Sequence, residues 1–205
     1  MKSICVFSGS SLGKRKNYSK IAVDLGKAIA DENYLMVYGG GSLGLMGKTA
    51  DSVLSNGGEV IGVITEQLNS IEAGHKHLTK LIIVSTMHER KAKMAEISDA
   101  IIALPGGVGT WEEFYEALAW NQLGIYSKPI ILLNVDNYYT ELYKFTKRAV
   151  DEGFLPPSTF EDLILCDSVA ESLLNIKKFK PKDGKDWFKR LGRAEVYNDW
   201  IKLLY

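Results

Sequence analysis

The chain has 205 residues, of which 46% are hydrophobic and 24% charged, a composition typical of one soluble globular domain with a substantial core. Lysine plus arginine and aspartate plus glutamate number 25 each, so no overall charge favours nucleic acid or a membrane surface. The absence of a signal-peptide pattern and of a long apolar run predicts a cytoplasmic protein without a membrane span, in which Cys5 and Cys166 are reduced thiols.

Short apolar runs alternate with helical patterns along the whole chain. The apolar runs lie at 3–9, 35–40, 59–64, 81–85, 100–106 and 129–134, and the helical patterns at 17–32, 44–56, 87–98, 110–123 and 138–151. Because several of the runs are apolar throughout, we expect parallel strands that are covered on both faces. The sequence therefore predicts an α/β, Rossmann-like, doubly wound and mainly parallel sheet with helices on both faces, whose ligands bind outside the carboxyl ends of the strands.

Glycine-rich turns follow the first two predicted strands, at 8–13 and 38–47. The second turn contains Gly-x-Gly-x-x-Gly, at Gly39, Gly41 and Gly44. Glu66 follows 22 residues after Gly44, which is where a dinucleotide-binding fold holds its ribose. An NAD site is one interpretation, and ordinary turn chemistry, in which glycine only permits tight packing, is another.

The same second turn also comes close to a phosphate-binding P-loop. Gly47, Lys48 and Thr49 match the end of that pattern, but Ser42 stands where its first glycine belongs. No clear partner acid ends a neighbouring apolar run. An NTPase is therefore a weaker interpretation than the other two.

The third turn, "LPGGVGTWEEF" at 104–114, places carboxylates directly after glycines that suit a phosphate. Backbone N–H groups at the start of the 110–123 helix can bind an anion, and Thr110 can add a hydroxyl. Glu112 and Glu113 are expected in the first helical turn, beside that anion. A capping box from Thr110 to Glu113 also explains the acids, but it does not require the preceding glycines.

The helical pattern "MHERKAKMAE" at 87–96 carries a cation on its apolar side. That apolar side consists of Met87, Met94 and Ile97. Arg90 falls on the same side, and Arg90 and Lys91 both lie near the helix start, where the helix dipole disfavours cations. A solvated helix with an i, i+4 pair between Glu89 and Lys93 explains those two residues but not Arg90. An inward Arg90 indicates a ligand phosphate or a catalytic carboxylate nearby.

A histidine pair lies in the connection between the third and fourth predicted strands. His75 and His77 belong to the string "GHKH", and His88 is the only other histidine of the sequence. Protein zinc sites need three or four such ligands. We therefore predict no metal.

The motifs together carry a family resemblance. The strings "CVFSGSSLGK", "LMVYGGGSLGLMG", "VIGVI", "MHERK" and "LPGGVGTWEEF" occur in the order and spacing of the Lonely-guy family. The chain thus resembles, from residue 3 to about 175, the cytokinin riboside 5′-monophosphate phosphoribohydrolases, whose bacterial members cleave AMP and related nucleotides. Many members carry the older label lysine decarboxylase, which implies pyridoxal phosphate. Nothing in this sequence supports that cofactor, and the resemblance implies none.

The resemblance also assigns roles to residues. It implies that Arg90 and Glu113 are the catalytic pair. Both are also implied to contact substrate, together with Glu72 in the 65–80 connection, Met87, Lys91, Gly106, Gly107, Val108, Gly109, Thr110, Trp111 and Glu112, and with Gly9 and Gly41 in the first two glycine turns. Ala119 stands where relatives often have threonine, so one hydroxyl contact to the nucleotide is expected to be missing. That departure bears on base preference more than on chemistry.

The predicted reaction is hydrolysis of the N-glycosidic bond of a nucleoside 5′-monophosphate, AMP or a cytokinin riboside monophosphate, to free base and ribose 5-phosphate. Such a reaction builds positive charge on the ribose, which a carboxylate stabilises, while the glycine loop fixes the phosphate. The substrate is therefore anionic at one end and becomes cationic at the other. The alternative is a non-catalytic nucleotide-binding protein of the same fold. We expect no nucleic-acid or membrane partner.

Two groups of apolar side chains are larger than expected on the surface of a single domain. Trp120, Leu123 and Tyr126 crowd the end of the 110–123 helix, and together with the resemblance they predict a homodimer. The tail also carries large apolar groups, at Trp187, Leu191, Tyr197, Trp200, Ile201 and Leu204. We therefore predict a single Rossmann-like nucleotide-binding domain over 1–180 and a C-terminal extension over 181–205, packed on that domain or on a neighbouring subunit.

Overall fold

The computed structural model describes residues 2–72 and 74–182, together with Gly192. Most of the predicted C-terminal extension lies outside the described residues, so its packing stays a prediction. The first residues of the extension are held at the amino edge of the last strands. The Lys182 backbone N–H donates to Ser127 Oγ at 2.8 Å, and the Lys182 ammonium lies 2.8 Å from the Asp162 carboxylate.

The described chain forms one seven-stranded parallel sheet. Its strands are β1 Ser3–Phe7, β2 Leu35–Tyr38, β3 Glu59–Thr65, β4 Lys80–Val84, β5 Ala100–Ala103, β6 Ile130–Leu133 and β7 Leu163–Cys166. Their order across the sheet is β4-β3-β2-β1-β5-β6-β7, and every pairing between named strands is parallel. The predicted Rossmann-like fold is confirmed. The sequence patterns missed β7, an edge strand whose two middle residues are only half-buried.

Helices cover both faces of the sheet. They are α1 Lys16–Asp31, α2 Gly44–Ser55, α3 Glu66–Glu72, α4 Met87–Glu96, α5 Val108–Gln122, α6 Thr140–Asp151, α7 Pro157–Phe160 and α8 Val169–Lys178, with a short 3-10 turn at Val135–Asn137. The apolar stripes of α1, α2 and α8 pack in one core cluster, and those of α4, α5 and α6 pack in the other. The sequence patterns did not predict α8, although Ser168 accepts a hydrogen bond from the Glu171 N–H as an ordinary N-cap.

The winding of the sheet reverses at β1, which has β2 on one side and β5 on the other. The glycine turns that follow β1 and β5 meet at this point. Gly9 N–H donates to the Pro105 carbonyl at 3.1 Å, and Leu104 N–H donates to the Phe7 carbonyl at 2.9 Å. Ligands of doubly wound sheets bind at such a switch point. The fold therefore brings the first and third glycine turns to one ligand-binding edge.

The connection between β3 and β4 folds back over the turn that follows β2. Gly41 and Gly74 form an isolated antiparallel bridge, and His75 N–H donates to the Gly40 carbonyl at 3.0 Å. The buried His75 ring places Nε2 2.9 Å from Asp51 Oδ1. These contacts hold the connection at the carboxyl end of β2.

Two kinds of feature are absent from the described ranges. Within them, no group of three or more histidine, cysteine, aspartate and glutamate side chains lies close enough to hold a metal ion. In the same residues, no helix has the length and apolar character needed to cross a membrane.

Candidate active site

Arg90 is the most buried charged side chain of the site, with 7% of its surface exposed. It projects from α4 toward the carboxyl ends of two strands. Its Nε donates to the Val63 carbonyl at 2.9 Å, and its Nη2 donates to the Gly39 carbonyl at 3.2 Å. Its Nη1 donates to Glu113 Oε1 at 3.3 Å. The predicted inward direction of Arg90 is therefore what the structure shows, and a carboxylate is its partner.

The approach of Arg90 also explains why the second turn contains glycine. A Cβ atom on Gly39 would lie 1.9 Å from Arg90 Nη2, a distance that no side chain can occupy. The first glycine of the Gly-x-Gly-x-x-Gly string thus makes room for the guanidinium. The P-loop interpretation has no support in the structure. A P-loop threonine offers its hydroxyl to the metal ion of a nucleotide, whereas the buried Thr49 hydroxyl donates within α2 to the Leu45 carbonyl at 2.9 Å.

The α4 helix begins at Met87, as predicted, but the side chains of its first turn pair differently from the sequence interpretation. Thr86 is the N-cap, its hydroxyl accepts from Glu89 N–H at 3.1 Å, and the Glu89 carboxylate accepts from Thr86 N–H at 3.3 Å. Glu89 is thus the third residue of a capping box, and Lys93 pairs with Glu96 at 2.9 Å instead. The predicted Glu89–Lys93 pair is wrong. Met87 is also not part of the core, because the first turn of α4 leaves it 44% exposed.

The start of α5 corrects the prediction for the third turn. The helix begins at Val108 with Gly107 as its N-cap, two residues before the predicted start. Thr110 to Glu113 is therefore not a capping box, and Glu112 and Glu113 lie in the second helical turn, not the first. The N–H groups of residues 107–110 have no acceptor among the described residues, because the first intrahelical bond runs from Trp111 N–H to the Gly107 carbonyl.

Those four open amides form what we call the anion cradle, residues 107–110. The positive end of the α5 dipole lies at the same place, so the cradle favours a negatively charged ligand group. Gly106 precedes it and must be glycine, since a Cβ there would lie 2.1 Å from Thr110 Oγ1. Thr110 is buried, and its side chain packs closely against Gly106.

Glu113 lies about one helical turn beyond the cradle, with 14% of its side chain exposed. Burial raises the pKa of Glu113 from its ordinary value of 4.5 to about 7, although the neighbouring Arg90 guanidinium opposes this shift. The nearby Glu112 carboxylate raises the pKa further. Glu113 can therefore hold or release a proton near neutral pH, as an acid–base group of an enzyme must.

Lys91 is held between two carboxylates of α5. Its ammonium contacts Glu112 and lies 3.0 Å from Glu116 Oε1. Burial lowers the pKa of Lys91, but the hydrogen bonds that its ammonium donates to Glu112 and Glu116 outweigh burial and raise the pKa overall. Sequence reasoning missed Glu116, although its position four residues after Glu112 puts both on one side of the helix.

The remaining predicted substrate residues lie in three places. Gly9, Gly106 and the cradle meet at the switch point, and Val108 and Trp111 are exposed on the first turn of α5. Gly41 lies in the bridge to the β3–β4 connection rather than beside the cradle. Glu72 ends α3, but its side chain lies outside the described residues. Ala119 is exposed on α5.

A pocket opens at the switch point next to the cradle. Its lining comes from the first and third glycine turns and from two tyrosines: Gly9, Ser10, Ser11, Leu12, Gly13, Tyr18, Leu45, Pro105, Gly106, Gly107 and Tyr138. The tyrosines were not among the predicted site residues. Tyr138 was predicted only as the first residue of a helix, and its role in the site becomes visible from its position beside the third glycine turn.

The raised pKa of Glu113 predicts a pH-dependent effect of its neutral analogue. The folded state binds the proton more tightly than the unfolded state, so this group stabilises the fold below about pH 4.5, and that contribution is lost as pH rises through 7. Glu113→Gln stays neutral and should be more stable than the wild type at pH 8, by up to about 3 kcal/mol, with a smaller difference at pH 5. Urea unfolding at both pH values measures this.

The matched control is Glu112→Gln, which removes a half-exposed carboxylate paired with Lys91 and should bring no gain. A Glu113→Gln variant that is several kcal/mol less stable than the wild type at pH 8 would contradict the prediction. It would show that the ion pair with Arg90 outweighs the burial of the charge.

Comparison with known proteins adds to this geometry. A family model described as "possible lysine decarboxylase" matches residues 46–176. A probable cytokinin riboside 5′-monophosphate phosphoribohydrolase of Oryza sativa subsp. japonica, LOGL2, is 46% identical over 184 residues, which are 90% of this chain and 75% of the relative. The cytokinin riboside 5′-monophosphate phosphoribohydrolase of Rhodococcoides fascians is 46% identical, over 86% of this chain and 89% of the relative.

Solved structures share the fold at lower identity. The structure of TM1055 has a TM-score of 0.68 and 23% identity, over 87% of this chain and 100% of that one. The molybdenum cofactor carrier protein of Chlamydomonas reinhardtii has a TM-score of 0.65 and 23% identity, over 87% and 98%. These likenesses concern the fold, whereas the family rests on the sequence matches. The chain belongs to the Lonely-guy family of phosphoribohydrolases, as its motifs predicted.

Proposed function

We propose that this enzyme hydrolyses the N-glycosidic bond of a nucleoside 5′-monophosphate, AMP or a cytokinin riboside monophosphate, to free base and ribose 5-phosphate. The observation that carries the proposal is the placement of the buried Glu113 carboxyl, paired with Arg90, one helical turn beyond the anion cradle. A helical turn rises about 5 Å. A ribose 5-phosphate anchored by its phosphate in the cradle would then bring its C1′ atom near Glu113.

The proposed chemistry follows from that placement. As the bond from C1′ to the base nitrogen breaks, positive charge develops on the ribose ring, and the Glu113 carboxylate stabilises it. The departing base nitrogen keeps the electron pair of the broken bond and takes up a proton. A water oxygen forms the new bond to C1′, and the proton that this water loses passes to Glu113, whose pKa of about 7 suits that transfer. Overall, one water molecule is consumed. Arg90 fixes the direction of the carboxylate, and the cradle holds the phosphate in place.

The older family label calls for a test of pyridoxal phosphate against the residues present. That cofactor needs a lysine whose amine forms a Schiff base, which a lowered pKa favours. Lys91, the lysine of this site, has its pKa raised by Glu112 and Glu116 and is committed to both carboxylates. The side chains around the cradle therefore do not fit pyridoxal phosphate, and no step of the proposed reaction involves it.

We also expect this reaction to take place in a reducing, cytoplasmic environment. Cys5 and Cys166 are both free and buried. Disulfide-free cysteines are usual where the cell keeps thiols reduced.

A panel of nucleoside 5′-monophosphates tests the function directly. We expect AMP or an N6-substituted adenosine monophosphate to yield free base and ribose 5-phosphate, measured by chromatography of both products. Adenosine, which lacks the phosphate, is the matched substrate control and should react far more slowly because the cradle cannot hold it. No base release from any member would exclude the enzyme proposed here and leave a nucleotide-binding protein.

Glu113→Gln separates chemistry from structure. Gln keeps the size and hydrogen bonding of the side chain but cannot stabilise a ribosyl cation or accept the proton, so kcat should fall by about 10²- to 10³-fold. The loss of kcat in Arg90→Ala should also be severe. Glu112→Gln is the control and should be much milder, because adjacent residues project about 100° apart around a helix. Near-normal turnover by a folded Glu113→Gln would rule out the proposed mechanism.

We further propose a homodimer. Trp120, Leu123 and Tyr126 are only half-buried, and Trp120 and Tyr126 pack against each other within the subunit. More strongly exposed apolar side chains are Ile83 on β4, Met87 on α4, and Val108 and Trp111 on α5. The α4 helix contacts β4 and is joined to α5 by the ion pairs of Lys91, and apolar surface of this kind marks a protein interface.

Light scattering should therefore give the mass of a dimer at micromolar concentration, and Met87→Lys should shift it toward the monomer. Phe154→Lys is the matched control, because Phe154 is 86% exposed but follows α6, away from these residues. A monomeric wild type would refute the dimer, and an equal effect of both substitutions would refute this location of the interface.

A further inference from the structure

The loop that leads into the anion cradle has three consecutive carbonyls, and each one has its own donor. Tyr139 Oη donates to the Leu104 carbonyl at 2.6 Å, and Gly9 N–H donates to the Pro105 carbonyl at 3.1 Å. Tyr138 Oη donates to the Gly106 carbonyl at 2.5 Å. The Leu104 carbonyl accepts its hydrogen bond from Tyr139, which is fully buried, and the Pro105 carbonyl accepts its own from the neighbouring glycine turn. The Gly106 bond is different, since it comes from a tyrosine that is partly exposed and lines the pocket.

The Gly106 carbonyl matters because it belongs to the same peptide unit as the first amide of the cradle. In a planar trans peptide, the carbonyl oxygen and the following N–H point in opposite directions. The direction of the Gly106 oxygen therefore sets the direction of the Gly107 N–H. This unit joins two glycines, which have few steric restrictions, so little in the chain itself prevents it from rotating.

The two residues directly before Tyr138 have an unusual backbone conformation. Asp136 and Asn137, directly before it, both have left-handed backbones, with φ of 51° and 61°. Such conformations are uncommon outside glycine, and aspartate and asparagine adopt them more readily than other residues, so the residue types here suit the turn that places Tyr138. Asp136 is tied to the start of α1, because its carboxylate accepts from Asn17 Nδ2 at 2.9 Å and lies 3.6 Å from Arg15.

The aromatic ring of Tyr138 is oriented as well as its hydroxyl. It packs edge-on against Tyr18, with ring centroids 5.9 Å apart, and against Tyr139, at 5.0 Å. Tyr18 belongs to α1 and lines the same pocket. The phenol therefore approaches Gly106 from a ring that two neighbours hold in place, so the hydrogen bond has a defined direction.

We propose that Tyr138 is a positioning residue for the phosphate of the substrate: its hydroxyl fixes the Gly106–Gly107 peptide so that the Gly107 N–H stays directed into the anion cradle. The inference rests on the proposed function in one respect, namely that the group bound in the cradle is a phosphate. It predicts that Tyr138 acts on phosphate binding and leaves the bond-breaking step at Glu113 unchanged.

Tyr138→Phe tests this, because it removes the hydroxyl and keeps the ring. The affinity for ribose 5-phosphate, measured by titration calorimetry, should fall about 3- to 10-fold, the usual range for one net hydrogen bond. The affinity for adenosine, which lacks the phosphate, should not change. In steady-state kinetics with a nucleoside monophosphate, KM should rise by a similar factor while kcat stays within about twofold of the wild type.

Tyr115→Phe is the matched control. It also removes a tyrosine hydrogen bond, from a hydroxyl 2.8 Å from Thr146 Oγ1, on the side of α5 that packs against α6. It should bind ribose 5-phosphate as the wild type does. An unchanged ribose 5-phosphate affinity in Tyr138→Phe would refute the inference. So would an equal loss of adenosine binding, or an equal effect of Tyr115→Phe, because each would indicate a general structural role.

The outcomes also separate this inference from the proposed function. A wild type that binds ribose 5-phosphate but releases no base would refute the hydrolysis and leave the role of Tyr138 intact, with binding as its readout. A wild type that hydrolyses nucleotides, beside a Tyr138→Phe variant with unchanged KM, would refute the role of Tyr138 alone. A wild type that neither binds ribose 5-phosphate nor releases base would refute both.

Discussion

The buried guanidinium of Arg90 is the interaction on which the rest of the site depends. A buried cation is costly unless its donors are satisfied, and here the carbonyls of Gly39 and Val63 and the Glu113 carboxylate satisfy them. These partners belong to the turn after β2, to β3 and to α5, while Arg90 itself belongs to α4. One side chain therefore ties two strand ends and two helices together, and the Arg90 contact leaves no room for a side chain at Gly39.

The environment of the pair determines what Glu113 can do. Burial pushes its pKa upward and Arg90 pulls it downward, and the balance near neutrality is what an acid–base group requires. The anion cradle lies on the same helix one turn away, with a dipole that favours negative charge. The site thus combines a positive potential with a carboxylate about one helical turn away, which is the arrangement that the proposed reaction requires.

The sheet itself does not decide this chemistry. Solved structures with 23% identity share the fold, and one of them is a molybdenum cofactor carrier. Folds of this kind host many functions, and the side chains at the switch point make the difference. In this chain the switch point unites the turns after β1 and β5, while the clasp between Asp51 and His75 holds the β3–β4 connection at the end of β2.

The choice of Glu113 as the partner of Arg90 came from the family resemblance, whereas the sequence by itself determined the strand–helix alternation, the positions of the three glycine turns and the candidate Arg90. Those features are local: short apolar runs, glycine strings, and a cation on an apolar helix face can each be recognised within about ten residues. The same local reasoning missed β7, whose burial is partial, and predicted a pair of Glu89 with Lys93 that the capping box at Thr86 replaces.

Only the tertiary structure decided the rest, because the deciding contacts join residues far apart in the chain. It started α5 at Val108 and so moved Glu113 into the second turn, opposite Arg90. It supplied Glu116 as a second partner for Lys91 and brought Tyr138 across 32 residues to the Gly106 carbonyl. No periodicity or spacing reports such contacts, since the geometry of the folded sheet, and not the order of the residues, sets the distance between them.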